Sequence, residues 1–392
     1  MEKIILFDGQ LHQNLLPLTY TRPVSYLRVG IFTIREKWEK HLGVSVDIRC
    51  KDYLSNKYSS NENEAQLGVL SGLLPDSGLI SAIDQLEDKT ILMKGEILLA
   101  ISPLPANDEK LEEKLTQYHI VQYEDDVSLI QRPHDIFIHN GIEIQKDFDL
   151  IKDDSKASID SSNTIFGNEI IIEESATVKG SYINCEEGPV YIGKNAEVME
   201  GSMIRGPFAL LDHGVVKMGS KIYGSTTFGP YSKVGGEVSN SVILGYSNKA
   251  HDGYLGNSVI GEWCNLGADT NTSNLKNNYG NVKVWSYKEN DMIDTGTQYC
   301  GLTMGDHSKC SINTMFNTGT VVGVFANIFD SGFPPKHVPS FSWGGKQGIS
   351  TYDIEKAIEL AELVMSRRQI EITDADKALL NFLHKLTKDH RN

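Results

Sequence analysis

A polar stretch at residues 249–274, KAHDGYLGNSVIGEWCNLGADTNTSN, holds the side chains best suited to chemistry. The imidazole of His251 is a candidate general base, because an unperturbed histidine titrates near neutral pH. Transfer of an acyl group from a thioester to an amine needs such a base to take the proton of the amine. A lone histidine is more often an exposed or structural residue, so the interpretation depends on the scaffold that presents it.

The residues on either side of His251 follow a six-residue repeat. Several of the repeated apolar side chains are followed directly by glycine, as at Gly193, Gly229 and Gly305. Neither the period of a strand nor that of a helix produces this pattern, whereas the coils of a parallel β-helix do. The repeated side chains would then point inward and form one apolar column. They are Phe166, Ile172, Val178, Ile192, Val198, Ile204, Leu210, Val216, Ile222, Phe228, Val234, Met304, Cys310, Phe316, Val322 and Ile328.

The segments before and after the repeat have other patterns. Residues 1–150 alternate strand-like runs at 3–8 and 90–100 with helical spacing at 31–42, which predicts an α/β domain. The β-helix is expected over 160–330, and residues 331–392 read as an extended connection and two helices. The first helix has Thr351 as its expected N-cap, and the second has Thr373 or Asp374.

Composition excludes several classes of protein. The net charge of −15 argues against nucleic acid as the main partner, because phosphate binding needs concentrated Lys and Arg. No stretch approaches 18 uninterrupted apolar residues, so no membrane span is expected, and the N-terminus does not read as a signal peptide. The five cysteines show no CxxC spacing and are expected to be free thiols. These features together predict a cytoplasmic protein.

Residues 160–330 resemble the left-handed β-helix of hexapeptide-repeat acyltransferases. The stretch AHDGYLGNSVIGEWCNLGADTNTSN is similar to the motif of the acetyltransferase half of bifunctional N-acetylglucosamine-1-phosphate uridyltransferase/glucosamine-1-phosphate acetyltransferases. The resemblance implies His251 as the catalytic base and Asn274 as a catalytic residue near the thioester and the amine. It implies Tyr254 and Asn265 as contacts of the amino sugar. The run DTGTQ at 294–298 resembles another motif of the family, which implies that Thr295 contacts coenzyme A.

The family's phosphate-binding cations are only partly present. Lys221 and Ser239 fall on the basic pair that binds the sugar phosphate, so only Lys221 is expected to bind it. A further lysine of the family falls on Gly280, with Lys276 and Lys283 nearby. The phosphates of acetyl-CoA also need cations, and we predict Lys336 and Arg367 for this role. They belong to a group of candidates that also contains His337, Lys346 and Arg368, although Arg367 and Arg368 could equally cap a helix.

The front of the chain resembles the sugar nucleotidyltransferases more weakly. LLPLTYTRPVSYLRVG at 15–30 is similar to one of their conserved segments, but their glycine-rich loop is reduced to GQLHQNL at 9–15. The resemblance implies Asp8, Arg22 and Arg28 as nucleotide contacts. Glu96, in the run MKGEILL, would be a ligand of Mg²⁺. A domain kept for folding, trimer geometry or binding is the alternative.

We therefore predict a transferase with a reduced nucleotidyltransferase-like α/β domain, a left-handed parallel β-helix and a C-terminal helical pair. The expected reaction is acetyl-CoA-dependent N-acetylation of an amino-sugar phosphate similar to glucosamine 1-phosphate, in nucleotide-sugar and cell-envelope precursor synthesis. The alternatives are sugar-1-phosphate nucleotidyl transfer as the main activity, and a non-catalytic sugar-nucleotide-binding or assembly protein. A zinc site is disfavoured, because the H-x-x-x-x-H pair His134/His139 lies outside the repeat.

A homotrimer is the expected assembly. In the family that the repeat resembles, the active sites lie between the β-helices of neighbouring subunits. Tyr246, Trp263 and Trp285 lie off the inward positions of the repeat, so they would need cover from a partner.

Overall fold

The computed structural model describes residues 4–58, 67–105, 116–152 and 159–391, and it divides into two compact units. The first unit takes its described residues from 1–15, 21–27 and 32–132. The second takes them from 16–20, 28–31 and 133–392. The expected boundary between residues 150 and 160 includes residues 153–158, which lie outside the described part.

The first unit is an α/β fold on a six-stranded mixed sheet with the order β2-β1-β3-β5-β4-β6. The interior strand β1 pairs in parallel with β2 and β3 and is buried throughout, as a parallel strand covered on both faces must be. The strand-like run at 90–100 is a hairpin that turns at Gly95, with φ +58°. The strands are β1 (Ile4–Phe7), β2 (Asp47–Arg49), β3 (Leu67–Leu70), β4 (Thr90–Lys94), β5 (Ile97–Ser102) and β6 (His119–Gln122).

Short helices connect these strands. The longest of those described begins after Thr33, whose side chain accepts a hydrogen bond from the backbone N–H of Glu36, while the carboxylate of Glu36 accepts one from the backbone N–H of Thr33. It ends at Gly43, whose φ of +69° suits glycine. The helices are α1 (Leu11–Asn14), α2 (Ile34–Leu42), α3 (Asp52–Ser55) and α4 (Ser77–Asp84), with a 3₁₀ turn at Val24–Tyr26.

The second unit is a parallel β-helix, as predicted. Each regular coil contributes one strand to each of three faces, in the order face one, face two, face three. Six such coils follow one another: β7 (Thr164–Phe166), β8 (Ile170–Ile172), β9 (Thr177–Val178); β10 (Tyr182–Asn184), β11 (Val190–Ile192), β12 (Glu197–Val198); β13 (Met203–Arg205), β14 (Phe208–Leu210), β15 (Val215–Val216); β16 (Lys221–Ile222), β17 (Thr226–Phe228), β18 (Lys233–Val234); β19 (Glu237–Ser239), β20 (Val242–Gly245), β21 (Asn248–Lys249); β22 (Tyr254–Gly256), β23 (Val259–Glu262), β24 (Asn265–Leu266).

The regular coil is interrupted once and then resumes. The chain leaves after β25 (Asn271–Thr272) to form a hairpin of β26 (Lys283–Ser286) and β27 (Asp291–Asp294), and it returns to face two at β28. The β-helix continues to residue 345, beyond the expected end at 330. These strands are β28 (Leu302–Met304), β29 (Lys309–Cys310), β30 (Met315–Phe316), β31 (Thr320–Val322), β32 (Asn327–Ile328), β33 (His337–Val338), β34 (Ser342–Gly345) and the antiparallel β35 (Gly348–Thr351).

The hexad side chains form the core of the β-helix. Ile192, Leu210 and Phe228 lie in register on face two, and pairs of residues 18 positions apart meet in successive coils. All the hexad positions named from the sequence lie in the apolar core except Phe166, which is 46% exposed. The prediction for Phe166 was wrong by one position. Its neighbour Ile165 pairs with the inward Ile183 and packs against the core instead.

Three α-helices are described in the second unit. α5 (Pro133–Ile151) packs on face two, where Asn140 donates a hydrogen bond to the carbonyl of Ser225 at 2.8 Å. α6 (Ile354–Ser366) has Asp353 as its N-cap, not the expected Thr351, which lies in β35. α7 (Asp374–Leu386) is capped by Thr373, as predicted, and a 3₁₀ turn follows at Lys388–Arg391. Within the described ranges, no helix is long and apolar enough to cross a membrane.

Candidate functional site

His251 lies at the corner where β21 ends on face three and β22 begins on face one. Its side chain is exposed, and no side chain in the described part of the chain hydrogen bonds to its ring. Gly253, two residues on, has φ +111°, and a Cβ there would lie 2.2 Å from the carbonyl oxygen of Thr270. The corner can therefore close as it does only with glycine at this position.

A cleft of about 670 Å³ runs along face three and is bounded by the end of α6. Its floor is a row of four outward residues, one from each of four neighbouring strands: Lys233, Asn248, Asn265 and Lys309. Strands lie about 4.8 Å apart, so this row spans roughly 14 Å. His251 lies at the rim, and Val364, Arg367 and Arg368 of the α6 end line the cleft as well.

The cleft concentrates positive charge in an acidic protein. Lys217, Lys233, Lys309, Arg367 and Arg368 all line it, and none of the described lining residues carries a carboxylate side chain. Burial lowers the pKa of Lys233, and the nearby charges of Arg368, Lys217 and Arg367 lower it further. Burial also lowers the pKa of Lys309 to about 8, and its Nζ donates to the carbonyl of His307. Such a cleft is suited to an anion with several charges.

Tyr254 and Asn274 form a second group on face one. The Nδ2 of Asn274 donates to the hydroxyl of Tyr254 at 3.1 Å and to the Oδ1 of Asn257 at 2.8 Å. Burial raises the pKa of Tyr254, and the nearby carboxylate of Glu237 adds to the rise, whereas the bond from Asn274 opposes it. Of the predicted sugar-binding and catalytic residues, Asn265 shares the cleft with His251, whereas Tyr254 and Asn274 do not line it.

Lys221 lies on face one, in the same outward row as Tyr254. Glu237 stands between them in the register, so a carboxylate separates the two predicted substrate contacts. Ser239, the other position of the expected basic pair, pairs with Gly256. Lys221 also borders a groove of about 440 Å³ whose other lining residues include Tyr182, Met203, Arg205 and Tyr223.

Two of the three predicted contacts of coenzyme A are not in the cleft. The hydroxyl of Thr295 donates to the carbonyl of Val282 at 2.8 Å, in the turn after β27. Lys336 is half-buried, and its pKa is lowered by burial and then by the charge of Lys276. Neither residue lines the cleft, whereas Arg367 does.

The aromatic residues that were expected to need cover stack on other rings of the chain, where Trp263 is buried and Tyr246 and Trp285 are half-buried. Tyr246 and Trp263 stack on each other at 4.3 Å within a row of corner side chains, each with positive φ. Trp285 stacks on His337 at 4.3 Å. The row consists of His213, Tyr231, Tyr246, Trp263, His307, Phe325 and Phe341.

The predicted nucleotide contacts are divided between the units. Asp8 follows β1, and its Oδ1 accepts a hydrogen bond from the backbone of Val24 at 3.1 Å. Burial raises the pKa of Asp8, and hydrogen bonding to His12 opposes the rise. Arg22 is buried in the same unit. Arg28 belongs to the second unit, where its guanidinium donates to the carbonyl of Ile31, so the expected trio does not form within the first unit.

The described residues do not fit the expected Mg²⁺ site. Glu96 is exposed in the turn of the β4–β5 hairpin. No group of three or more His, Cys, Asp or Glu side chains that could bind a metal occurs in the described part of the chain. The five cysteines are free thiols, as predicted.

Sequence reasoning missed four lysines of this region. Lys217, Lys233 and Lys309 line the cleft, and Lys249 lies directly beneath the His251 corner. For Lys233 and Lys309 the signal was available, because each precedes an inward hexad residue and must therefore point outward from face three. Lys249 had no such signal, because the coil that contains it is shorter than the hexad repeat allows.

Comparisons with known proteins agree with the two-part organisation. Residues 4–156 match the family model described as sugar nucleotidyl transferase. A bifunctional sugar-1-phosphate nucleotidylyltransferase/acetyltransferase of Sulfurisphaera tokodaii is 29% identical over 212 residues, 52% of this chain and 50% of that protein. The bifunctional protein GlmU of Methanocaldococcus jannaschii is 33% identical over 212 residues, 54% of this chain and 45% of that protein. The chain spans about half the length of these relatives.

Solved structures give only distant likenesses. The polySia-specific acetyltransferase NeuO matches 58% of this chain and 95% of its own, with 14% identity and a TM-score of 0.28. A Francisella novicida UDP-N-acetylglucosamine acyltransferase matches 59% of this chain and 78% of its own, with 13% identity and a TM-score of 0.25.

The positive cleft predicts a measurable affinity for polyanions. Replacing both Arg367 and Arg368 by alanine should weaken the binding of inorganic triphosphate about 10²- to 10⁴-fold, because each of the two charge-assisted hydrogen bonds contributes roughly 1.5–3 kcal/mol. Calorimetric titration at low and moderate salt measures the change. The matched control is Lys385→Ala with Lys388→Ala, which removes the same charge near α7 outside the cleft lining. Equal weakening in both double variants would mean that net charge, not the cleft, binds the anion.

Proposed function

We propose that this GlmU-like chain transfers an acetyl group from acetyl-CoA to the amine of an amino-sugar phosphate at the His251 cleft. The observation that carries the proposal is that a candidate base and five cations line the same cleft. The base takes the proton of the amine, and the cations bind the phosphates of the acetyl donor. Neither feature alone distinguishes an enzyme from a binding protein.

His251 supplies the proton chemistry of the proposed reaction. The amine nitrogen attacks the thioester carbonyl, and the imidazole takes the proton that the nitrogen loses. The C–S bond then breaks, and the leaving sulfur takes that proton from the imidazolium to release coenzyme A as its thiol. The exposed ring at the rim is accessible to such an amine. Asn265, on the cleft floor, can orient an acceptor by hydrogen bonding.

Acetyl-CoA fits the cleft by its charge. Its phosphates need local cations in a protein of net charge −15, and Lys217, Lys233, Arg367 and Arg368, which line the cleft close together, provide them. The row of the cleft floor, with lysine at both ends and asparagine between, is long enough for a pyrophosphate and more. Positioning of donor and acceptor beside one base is the main contribution that such a site makes to the rate.

The acceptor contacts proposed on face one are Lys221 for the phosphate, with Tyr254 and Asn274 for the sugar. Tyr254 and Asn274 lie on face one, whereas the cleft floor lies on face three, and Thr295 and Lys336 do not line the cleft. A complete site therefore needs a second chain. We therefore place the site between subunits of a homotrimer. The exposed apolar side chains of face one, Phe166, Tyr182, Met203 and Tyr223, support this packing. Sedimentation of a stable monomer at micromolar concentration would contradict it.

Nucleotidyl transfer by the first unit is the second candidate. The family match over residues 4–156 favours it, and Asp8 lies at the carboxyl end of a parallel strand, where α/β sheets bind ligands. Release of pyrophosphate from a nucleoside triphosphate in the presence of sugar 1-phosphates would establish it.

Replacing His251 by alanine tests the role of the base. The kcat of acetyl transfer should fall roughly 10²- to 10⁴-fold, because general-base catalysis contributes about this much. Fold and assembly should be unchanged, since the side chain is exposed. His213→Ala is the matched control, because it removes another exposed corner histidine that does not line the cleft. If His251→Ala keeps kcat within about threefold of the wild type, less than one RT ln 10 of barrier, the base is another group.

A further inference from the structure

Lys249 is a lysine at an inward position of the β-helix. It pairs in register with Val234, which in turn follows Val216, Val198 and Val178 down face three. The side chain is 3% exposed. Burying an ammonium in an apolar column costs several kcal/mol unless its hydrogen-bonding capacity is used. The hydrogen bonds of its Nζ must therefore offset the cost of burying the ammonium.

The Nζ of Lys249 bonds only to backbone carbonyls. It donates to the oxygen of His251 at 2.6 Å, to that of Asp252 at 3.3 Å and to that of Gly235 at 2.8 Å. An ammonium has three N–H groups, so all three donors are used. Two of the acceptors belong to the corner that carries His251, and the third belongs to the equivalent corner of the preceding coil. The ammonium thus fastens one corner to the next from inside the β-helix.

Lys249 lies where the coil becomes shorter. Paired residues of face three are 18 positions apart from β12 to β15 and from β15 to β18, but only 15 apart from β18 to β21. The shortened coil places Lys249 where the longer coils place valine. The corner that follows contains Gly253, with φ +111°, and its carbonyls at 251 and 252 point toward the interior, where the ammonium meets them.

We propose that Lys249 is a positioning residue for His251, which fixes the backbone of the corner so that the imidazole stays at the rim of the cleft. The inference rests on the proposed function. Catalytic histidines are commonly oriented by a carboxylate or carbonyl that bonds to the ring. Among the described residues no side chain does so for His251, so the position of the ring depends on its own backbone. The three bonds of Lys249 fix that backbone.

The pH dependence of kcat distinguishes a positioning role of Lys249 from a purely structural role. Burial lowers its pKa from the ordinary 10.5 to about 8, while the carboxylates of Asp252 and Asp269 oppose the shift. Above pH 8 the amine keeps two N–H donors, so one of the three carbonyls loses its bond. The free energy of unfolding changes with pH in the opposite direction to kcat. Between pH 8 and 10.5 the unfolded chain binds a proton that the folded chain has lost, so the contribution of this group to the free energy of unfolding rises with pH.

The first experiment compares Lys249→Met with the wild type and with Ile328→Met. Methionine suits the apolar column, and Ile328→Met places the same side chain at an inward position of face three in a later coil. In Lys249→Met, kcat should fall about 10- to 100-fold, since a displacement of about 1 Å can cost 10²-fold. The KM for acetyl-CoA should stay within about threefold, because the cations of the cleft are untouched. Ile328→Met should leave both constants unchanged.

The second experiment observes the corner directly and does not require activity. In NMR spectra the His251 ring resonance, assigned with His251→Gln, should be a single sharp signal in the wild type and broadened or doubled in Lys249→Met. An unchanged signal together with kcat within threefold overturns the proposal. If the wild type acetylates no acceptor, the proposed function fails, but the NMR comparison still decides the role of Lys249.

The third experiment uses the wild type alone, in case Lys249→Met does not fold. Its kcat should decrease above about pH 8, while circular dichroism shows the protein still folded. Because the pKa of Lys309 is also lowered to about 8 and this residue lines the cleft, the profile is repeated in Lys309→Gln, where the alkaline decrease should persist. A kcat that is constant to pH 10, or a decrease that disappears in Lys309→Gln, overturns the proposal.

Discussion

The second unit depends on one constraint, the stacking of inward side chains in register from coil to coil. Val216 lies on Val198 and Val234 on Val216, and each such contact is possible only when the backbones of the two coils pair strand by strand. Burial of these chains drives the folding of the column, at roughly 25 cal/mol per Å² of apolar surface. The same pairing fixes the outward side chains. The cleft floor of Lys233, Asn248, Asn265 and Lys309 is therefore a rigid row whose spacing is set by the strands and not by its own contacts.

Because the strands are fixed, the unusual backbone conformations are found at the corners. The corner aromatic residues have φ near +60° and stack on one another at 4.3–6.1 Å, so that each ring covers the next. At the His251 corner the backbone is stabilised in a different way. Gly253 makes the turn and Lys249 bonds to the exposed carbonyls from inside. This corner alone of those discussed carries an unstacked histidine at the rim of a positive cleft, which is the arrangement that base catalysis on a phosphorylated donor requires.

Sequence reasoning succeeded where the pattern was local. The hexads predicted the apolar column because inward positions recur within each coil, and Phe166 was misplaced only because Ile165 beside it is also apolar. Tyr246 and Trp263 were taken as uncovered because a corner residue gives no sign that its neighbours one coil away will stack on it. The cations of the cleft come from the residue after β15, from β18 and β29, and from the end of α6, which are far apart in the chain, so no short motif contains them. The inward position of Lys249 could not be predicted from the sequence, because the shortened coil interrupts the hexad count.

The central claim is that the chain releases coenzyme A from acetyl-CoA only when an amino-sugar phosphate accepts the acetyl group. Thiol release measured with the full chain, acetyl-CoA and a panel of amino-sugar phosphates, with the matching N-acetylated sugars as controls, tests it most directly. The account predicts thiol release in equal amount to N-acetylated product with at least one free amine, and none above background with the N-acetylated controls. Thiol release no faster than in buffer with every amine would contradict the account and leave the cleft as an anion-binding surface.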